Sequence, residues 1–160
     1  MNYPYQNFYE MILANANRDA RKTVIFIEDE KISNIELLRR VDSFARFLRY
    51  SGVQKEDKVA LVTPNCVEFL ISFFAIGKIG GIVVPVNNML KEEEYRYILN
   101  NAEAKMLITS SKFSAQTKEL QATTEIEKTV WIDTLPEALG EHFLFSEAMT
   151  IPSFDDKSRA

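Results

Sequence analysis

The sequence predicts an α/β fold in three layers, with a mostly parallel sheet and helices on both of its faces. Three short β-branched runs, Val59–Thr63, Ile82–Val86 and Met106–Thr109, alternate with two stretches of helical periodicity. This alternation is typical of parallel sheets, because parallel strands need a crossover connection between them. The adjacent apolar residues Val83 and Val84 indicate that both faces of the sheet are covered at that point.

The first thirty residues predict a helix followed by a hairpin. Apolar residues at helical spacing predict an amphipathic helix over Tyr5–Arg18. The β-branched run Thr23–Ile27 and the pair Lys31–Ile32 flank the acidic stretch Glu28–Glu30. Two apolar runs separated by a short polar segment favour a β-hairpin.

A second amphipathic helix is predicted to begin at Ser33. Ser33 and Glu36 have the spacing of a capping box, in which each side chain binds a backbone amide of the other residue. Apolar residues then recur on one face up to Leu48. Gly52 stands where a helix of this length would need its C-terminal cap, so the helix is expected to end just before it.

A third, strongly apolar helix is predicted over Val67–Ile76. Asn65 and Glu68 repeat the capping spacing at its start. The run is too short to span a bilayer, so a helix buried on most sides is the favoured interpretation, and a helix lying on a membrane surface is the alternative. In the strand that follows, Pro85 cannot donate a ladder hydrogen bond and is expected at the strand end or at a bulge.

The remaining elements follow the same alternation. They are a helix over Lys91–Asn101, a helix over Lys112–Gln121 capped by Ser110 or Ser111, a strand over Thr129–Ile132, a helical turn within Phe143–Met149 and a polar stretch over Ile151–Ala160. Glu92, Glu93 and Glu94 fall in a first helical turn, where the helix dipole favours negative charge. From Pro136 onward the pattern is weaker, and Ile151–Ala160 lacks periodicity.

The composition excludes several classes of function. The 160 residues suffice for one domain, and 46% hydrophobic with 26% charged residues is typical of a globular chain. A net charge of −4 and the lack of a basic patch argue against nucleic acid as a partner. The single cysteine rules out an internal disulfide. Together with the lack of a secretory leader, it leads us to expect a cytoplasmic protein.

The side chains that could carry chemistry have simpler structural interpretations. Cys66 could pair with His142, the single histidine, but nothing in the sequence places them together, and a buried thiol is favoured. The stretch Thr109–Ser111 could bind an anion at a helix start, although capping alone explains it.

The acidic and glycine-rich segments also have structural interpretations that are simpler than catalytic or nucleotide-binding ones. The acidic pairs in Asp29–Glu30 and Glu92–Glu94 fit a hairpin turn and a helix start better than acid–base catalysis. Gly77, Gly80 and Gly81 follow a helix and precede a strand, the reverse of a dinucleotide fingerprint, so packing or capping is expected of them. This order also counts against a nucleotide-dependent oxidoreductase.

Four segments, taken in order, resemble the N-terminal part of the adenylate-forming enzymes, in particular the acyl-CoA synthetase and long-chain fatty acid–CoA ligase branch. Ile32–Leu37 is similar to the family's Ser-x-x-Glu-Leu segment. Val59–Phe69 resembles its valine-rich strand followed by Pro-Asn and Glu-Phe. Ala75–Asn87 is similar to its Lys-x-Gly-Gly and Val-Pro-x-Asn core, and Tyr97–Lys105 matches in order and spacing.

The resemblance implies an ATP-dependent ligase that joins a carboxylic acid, such as a fatty acid, to coenzyme A through an acyl-adenylate. Residues 1–160 would be an N-terminal fragment of the large domain, with a weakly structured tail at about 150–160. The family's phosphate loop, metal-binding pair, ribose-binding aspartate and catalytic lysine have no matching positions in this chain. We therefore expect no catalytic, cofactor-binding or metal-binding residue here, and no binding of ATP, Mg²⁺ or CoA by the chain alone.

Two further expectations concern the partners of the chain. A non-catalytic α/β binding or scaffold module is the alternative to a ligase fragment. A sheet that lacks its neighbours leaves an apolar surface and a strand edge uncovered, so we expect self-association or limited solubility. Peripheral contact with a membrane is the alternative left open for the apolar helix Val67–Ile76. Sedimentation analysis checks the expected self-association, and a monomer at high concentration would contradict it.

Overall fold

The computed structural model describes residues 5, 7–136 and 141–150, and these form two sheets surrounded by helices. The helices are α1 (Phe8–Arg18), α2 (Asn34–Tyr50), α3 (Val67–Lys78), α4 (Glu92–Ala102), α5 (Ser114–Thr123) and α6 (Phe145–Ala148). The strands are β1 (Thr23–Ile27), β2 (Glu30–Ser33), β3 (Lys58–Val62), β4 (Ile82–Pro85), β5 (Met106–Thr109), β6 (Lys128–Trp131) and β7 (Glu141–Leu144). The predicted weak tail at about 150–160 lies almost entirely outside the described residues.

The large sheet is parallel throughout its five described strands, in the order β4-β3-β5-β6-β7. Val59 of the central strand β3 is in register with Val83 of β4 and with Met106 of β5. The smaller sheet is the predicted antiparallel hairpin of β1 and β2, in which Phe26 lies opposite Lys31. The predicted fold class is confirmed.

Helices cover both faces of the parallel sheet, which gives the predicted three layers. One apolar cluster joins side chains of β3, β5 and β6 to α1, α2, α3 and α6, and it includes Leu61 and Ile108. A second cluster joins the opposite sides of β3 and β5 to α4 and α5, and it includes Ala60 and Leu107. Successive strand residues point to opposite faces, so each strand contributes to both cores.

Two predicted helix starts and one predicted cap differ from the observed ones. The first helix begins at Phe8 rather than Tyr5, because Asn7 caps it by accepting a hydrogen bond from the Glu10 amide. The third begins at Val67, as predicted, but Cys66 is at its N-cap, so the predicted cap by Asn65 is wrong. The helix predicted over Lys112–Gln121 begins as a 3₁₀ turn over Ser111–Phe113.

The start of α2 confirms half of its predicted capping box. The Ser33 hydroxyl accepts a hydrogen bond from the Glu36 amide at 3.3 Å, as predicted. The Glu36 carboxylate accepts instead from Arg40, at 2.6 Å. At the other end, Gly52 follows the helix with φ +90°, the left-handed conformation that a helix stop of this kind uses.

The segment predicted as a helical turn over Phe143–Met149 holds both a strand and a helix. Glu141–Leu144 forms the edge strand β7, and only Phe145–Ala148 is helical. Trp131 of β6 lies in register with Leu144. Pro85 is the last residue of β4, which confirms the prediction of a strand end.

Helix α3 is part of the core, as the favoured interpretation predicted. Val67, Ile71, Ala75 and Ile76 are buried, and the helix packs against α1, α2 and the sheet. Within residues 7–136 and 141–150, no helix combines the length and the apolar character needed to cross a membrane.

One lysine connects the three helices on this side of the sheet. The Nζ atom of Lys78 on α3 donates to Asp42 Oδ1 of α2 at 2.7 Å and to the Tyr9 hydroxyl of α1 at 3.0 Å. It also lies 4.3 Å from the centroid of the Tyr9 ring, within range of a cation–π interaction. Lys78 therefore fixes the mutual arrangement of α1, α2 and α3.

Replacing Lys78 with methionine is expected to lower the free energy of unfolding by about 1 kcal/mol, because the Asp42 carboxylate loses its charged partner while the aliphatic stem is kept. Denaturant titration measures the change. Lys55→Met is the matched control, since the Lys55 side chain is 79% exposed and 4.0 Å from Glu56. Equal losses in the two variants would contradict the role assigned to Lys78.

Candidate functional site

The strand order places the candidate site at the carboxyl edge of the parallel sheet. Strand β4 lies on one side of β3 and β5 lies on the other, so the direction of winding reverses at β3. Doubly wound sheets bind their ligands outside the carboxyl ends of the strands at such a reversal. Here that edge consists of residues 63–66 after β3, 86–91 after β4, 110–112 after β5 and 132–134 after β6, and we call it the carboxyl edge.

Hydrogen bonds connect the segments at the ends of β3 and β4, and another lies within the loop after β4. Asn88 donates from Nδ2 to the Thr63 carbonyl oxygen at 3.3 Å, and the Asn87 side chain accepts from the Met89 amide at 3.0 Å. The Val86 amide donates to the Leu61 carbonyl oxygen. Asn88 thus links the loop after β4 to the loop after β3, and Asn87 closes a turn, which accounts for their positions without a ligand.

Cys66, at the N-cap of α3, is a neutral thiol rather than a nucleophile. Burial raises the pKa of the Cys66 thiol, and the nearby Glu68 carboxylate raises it further, whereas a hydrogen bond with the Phe69 backbone lowers it in part. A reactive cysteine needs a lowered pKa, because the thiolate is the nucleophile. The structure thus favours the predicted plain thiol, which is only partly buried.

The pairing of Cys66 with His142 does not occur. His142 lies on β7, which is separated from β3 by β5 and β6. Three spacings of about 4.8 Å put the two strands about 14 Å apart, too far for a hydrogen bond between their side chains. His142 instead accepts a hydrogen bond at Nδ1 from Trp131 Nε1, at 3.1 Å.

A carboxylate of the chain itself occupies the helix start after β5. Ser110 Oγ donates to Asp133 Oδ2 at 2.6 Å, and the Ser111 amide donates to Asp133 Oδ1 at 2.8 Å. The Ser110 hydroxyl also accepts from the Lys112 amide at 3.4 Å, which is the predicted cap. Asp133 thus takes the position that the alternative interpretation reserved for a bound anion. It was missed because it lies 22 residues from Ser111 in the sequence.

Asp133 makes the carboxyl edge sensitive to acid. Burial raises the pKa of its carboxylate, but the hydrogen bonds donated by Ser110, Ser111 and Thr134 outweigh this and lower the pKa below its ordinary value of 3.8. A lowered folded-state pKa contributes stability that is present above the ordinary pKa and is lost as the pH falls through the lowered one.

Replacing Asp133 with asparagine is therefore expected to destabilise the chain at neutral pH and to have a smaller effect below pH 3.8. Urea titrations of both proteins across this range measure the difference. A difference in stability that does not change with pH would show that the carboxylate charge has no part in the contact.

The acidic segments have the structural roles that were predicted for them. Glu30 Oε1 accepts from Arg40 at 2.7 Å, and Glu94 Oε2 accepts from the Lys91 amide at 2.8 Å. A hydrogen bond with Glu119 raises the pKa of Glu92, on the exposed surface between α4 and α5. Among the described residues, no group of three or more histidine, cysteine, aspartate or glutamate side chains could hold a metal ion.

A cleft of about 490 Å³ lies between the hairpin tip and the start of α3. Glu28, Asp29, Glu30 and Glu68 contribute to its walls, together with Cys66. A phosphate group needs donors and positive charge, and these walls supply mainly carboxylates. The cleft therefore does not suit a nucleotide.

The reversal of winding at β3 and the helices on both faces define a doubly wound α/β domain. The sequence comparison supplies the family. Residues 12–156 match the family model described as "AMP-binding enzyme", so the chain belongs to the AMP-binding enzymes. This confirms the family indicated by the four ordered segments.

The similar proteins are CoA ligases by name. The chain is 38% identical over 91 residues to crotonobetaine/carnitine–CoA ligase of Escherichia coli O1:K1, a match covering 57% of this chain and 18% of that protein. The solved anthranilate CoA ligase AuaEII in complex with anthranoyl-AMP is 27% identical, with a TM-score of 0.84 over 92% of this chain and 28% of that one. A long-chain-fatty-acid–CoA ligase of Archaeoglobus fulgidus has a TM-score of 0.82 at 24% identity, over 93% of this chain and 30% of that one. The chain thus spans less than a third of each of these proteins.

Proposed function

We propose that the protein carrying this chain is an ATP-dependent acyl-CoA ligase and that residues 1–160 form the N-terminal part of its large domain. The observation that carries the proposal is the family match over residues 12–156. The ligase joins a carboxylate to AMP with release of pyrophosphate, and coenzyme A then displaces AMP to give the thioester. The CoA ligases among the similar proteins support this reaction class.

Within this ligase, the chain supplies a scaffold rather than catalytic groups. At the carboxyl edge, Asn87 closes a turn and Asn88 binds the Thr63 carbonyl oxygen, while Asp133 occupies the helix start after β5 and Cys66 is a neutral thiol. The helix start after β5 does not fit the phosphates of ATP, because the Ser111 amide that could receive one already binds the Asp133 carboxylate. We therefore assign the binding of ATP, Mg²⁺ and CoA to parts of the protein outside this chain.

The proposed substrate is a fatty acid or a related carboxylic acid. The similar proteins are named for a long-chain fatty acid, for anthranilate and for crotonobetaine or carnitine, which share a carboxylate and differ in the rest of the molecule. The carboxylate is the group that the proposed chemistry activates. We also propose a cytoplasmic location, which the single cysteine supports.

The complete protein, incubated with ATP, Mg²⁺, coenzyme A and a panel of carboxylic acids, tests the proposal. The panel includes short and long fatty acids, an aromatic acid and carnitine. The expected result is release of AMP and pyrophosphate that depends on the acid, together with formation of the acyl-CoA thioester. A folded protein that releases no AMP with any acid would overturn the proposal in favour of a non-catalytic module.

A further inference from the structure

The face of the sheet below α5 contains a polar cluster at β6 and β7. Thr129 of β6 is fully buried and lies in register with His142 of β7. In-register neighbours share a face, so the two side chains lie side by side on strands about 4.8 Å apart. Gln121, near the end of α5, donates from Nε2 to Thr129 Oγ1 at 3.0 Å. These three residues form the cluster.

The contact with Trp131 fixes the proton on the His142 ring. Trp131 Nε1 can only donate, and it donates to His142 Nδ1 at 3.1 Å, so Nδ1 carries no proton. In the neutral imidazole the proton is then on Nε2, which is a donor. That Nε2 atom is buried and has no hydrogen-bond partner in the structure.

The side-chain oxygen of Gln121 is an acceptor that complements this donor. Gln121 Nε2 donates its hydrogen bond to Thr129, whereas Gln121 Oε1 is buried without a partner. The cluster therefore contains one unused donor, on His142, and one unused acceptor, on Gln121. Leaving both groups unpaired in the interior is costly, and native proteins pair such groups with each other or with ordered water.

We propose that one buried water molecule occupies the space between His142 and Gln121. It accepts the hydrogen bond from His142 Nε2 and donates one to Gln121 Oε1, with the Thr129 hydroxyl as a neighbouring polar group. A monatomic ion does not suit this pair, because the N–H group repels a cation and the carbonyl oxygen repels an anion. The water links β7, the outermost described strand on that side of the sheet, to α5. This link does not depend on the proposed ligase activity.

A crystal structure of the protein at a resolution that shows ordered water tests the proposal, together with a ¹⁵N–¹H correlation spectrum of the histidine ring. The expected result is a water peak within hydrogen-bonding distance of both atoms, and a proton on His142 Nε2. An empty space, a direct contact between the two side chains, another chain segment in that position or a proton on Nδ1 would overturn it.

A double-mutant cycle provides an independent measurement. If the water couples the two residues, the effects of His142→Phe and Gln121→Leu on the unfolding equilibrium constant are not additive, because either change removes the shared partner. Gln116→Leu, on the same helix, combined with His142→Phe is the control and is expected to be additive. Additive effects in both pairs would overturn the proposal, and the crystal structure decides it where a variant does not fold.

Discussion

Replacing Phe44 with alanine is expected to lower the free energy of unfolding by about 3–5 kcal/mol. Phe44, on α2, is fully buried, and its ring stacks on Phe145 with a centroid distance of 4.4 Å and on Phe47 at 5.5 Å. The substitution leaves a cavity where α2 meets the short helix α6. Four residues of α6 cannot move far to fill it, because β7 directly precedes them in the sequence. Equilibrium denaturation of the two proteins measures the loss.

Phe26→Ala is the matched control for this prediction. Phe26 lies on the outer face of the hairpin and is 68% exposed, so its removal opens no cavity. The expected change is within about 0.5 kcal/mol, as for most surface substitutions. A comparable loss in both variants would mean that the stacked aromatic residues do not stabilise the core as described.

The second large effect is expected at Gly81, where alanine should cost about 1–3 kcal/mol. A Cβ atom added to Gly81 would lie 2.9 Å from Ile76 Cγ2 and 3.3 Å from the carbonyl oxygens of Ile76 and Asp57. The Ile76 oxygen accepts from the Gly81 amide, and the Asp57 oxygen accepts from the Ile82 amide, so neither can move without losing a bond at the start of β4. Thermal unfolding of the variant measures the cost.

Gly77→Ala provides a control of opposite sign. Gly77 lies within α3, and a Cβ atom there would meet no atom within 4 Å beyond its chain neighbours and the backbone of its own helix. Alanine at an unhindered helical position is expected to raise the stability by about 0.5–1 kcal/mol, because it restricts the unfolded chain. If Gly81→Ala were neutral or stabilising, the close approach of backbone at this turn would not be what requires glycine.

Local patterns were enough to predict most of the fold. The capping serine and the terminal glycine around α2, and the β-branched runs of β3, β4 and β5, are signals contained within a few residues. Strand β7 was missed because Glu141–Leu144 mixes charged, polar and apolar residues, and its strand conformation depends on pairing with β6. Tertiary contacts of this kind override a weak local propensity.

The carboxyl edge was less predictable than the sheet. A cap by Ser110 or Ser111 was predicted because the two serines directly precede a helical pattern, and the structure uses Ser110. The role of Asp133 depends on β5 and β6 lying side by side, and an acidic residue directly after a predicted strand was the one available signal. The hydrogen-bond partners of Glu36 and of Cys66 likewise depend on distances in the folded chain, which cannot be read from the spacing of residues along the sequence.

We propose that this chain supports an acyl-CoA ligase without contributing catalytic groups. Thioester formation from ATP, coenzyme A and a carboxylic acid, measured in parallel for the complete protein and for residues 1–160, tests it most directly. We expect a thioester from the complete protein and none above background from residues 1–160. Thioester formation by residues 1–160 alone would contradict it.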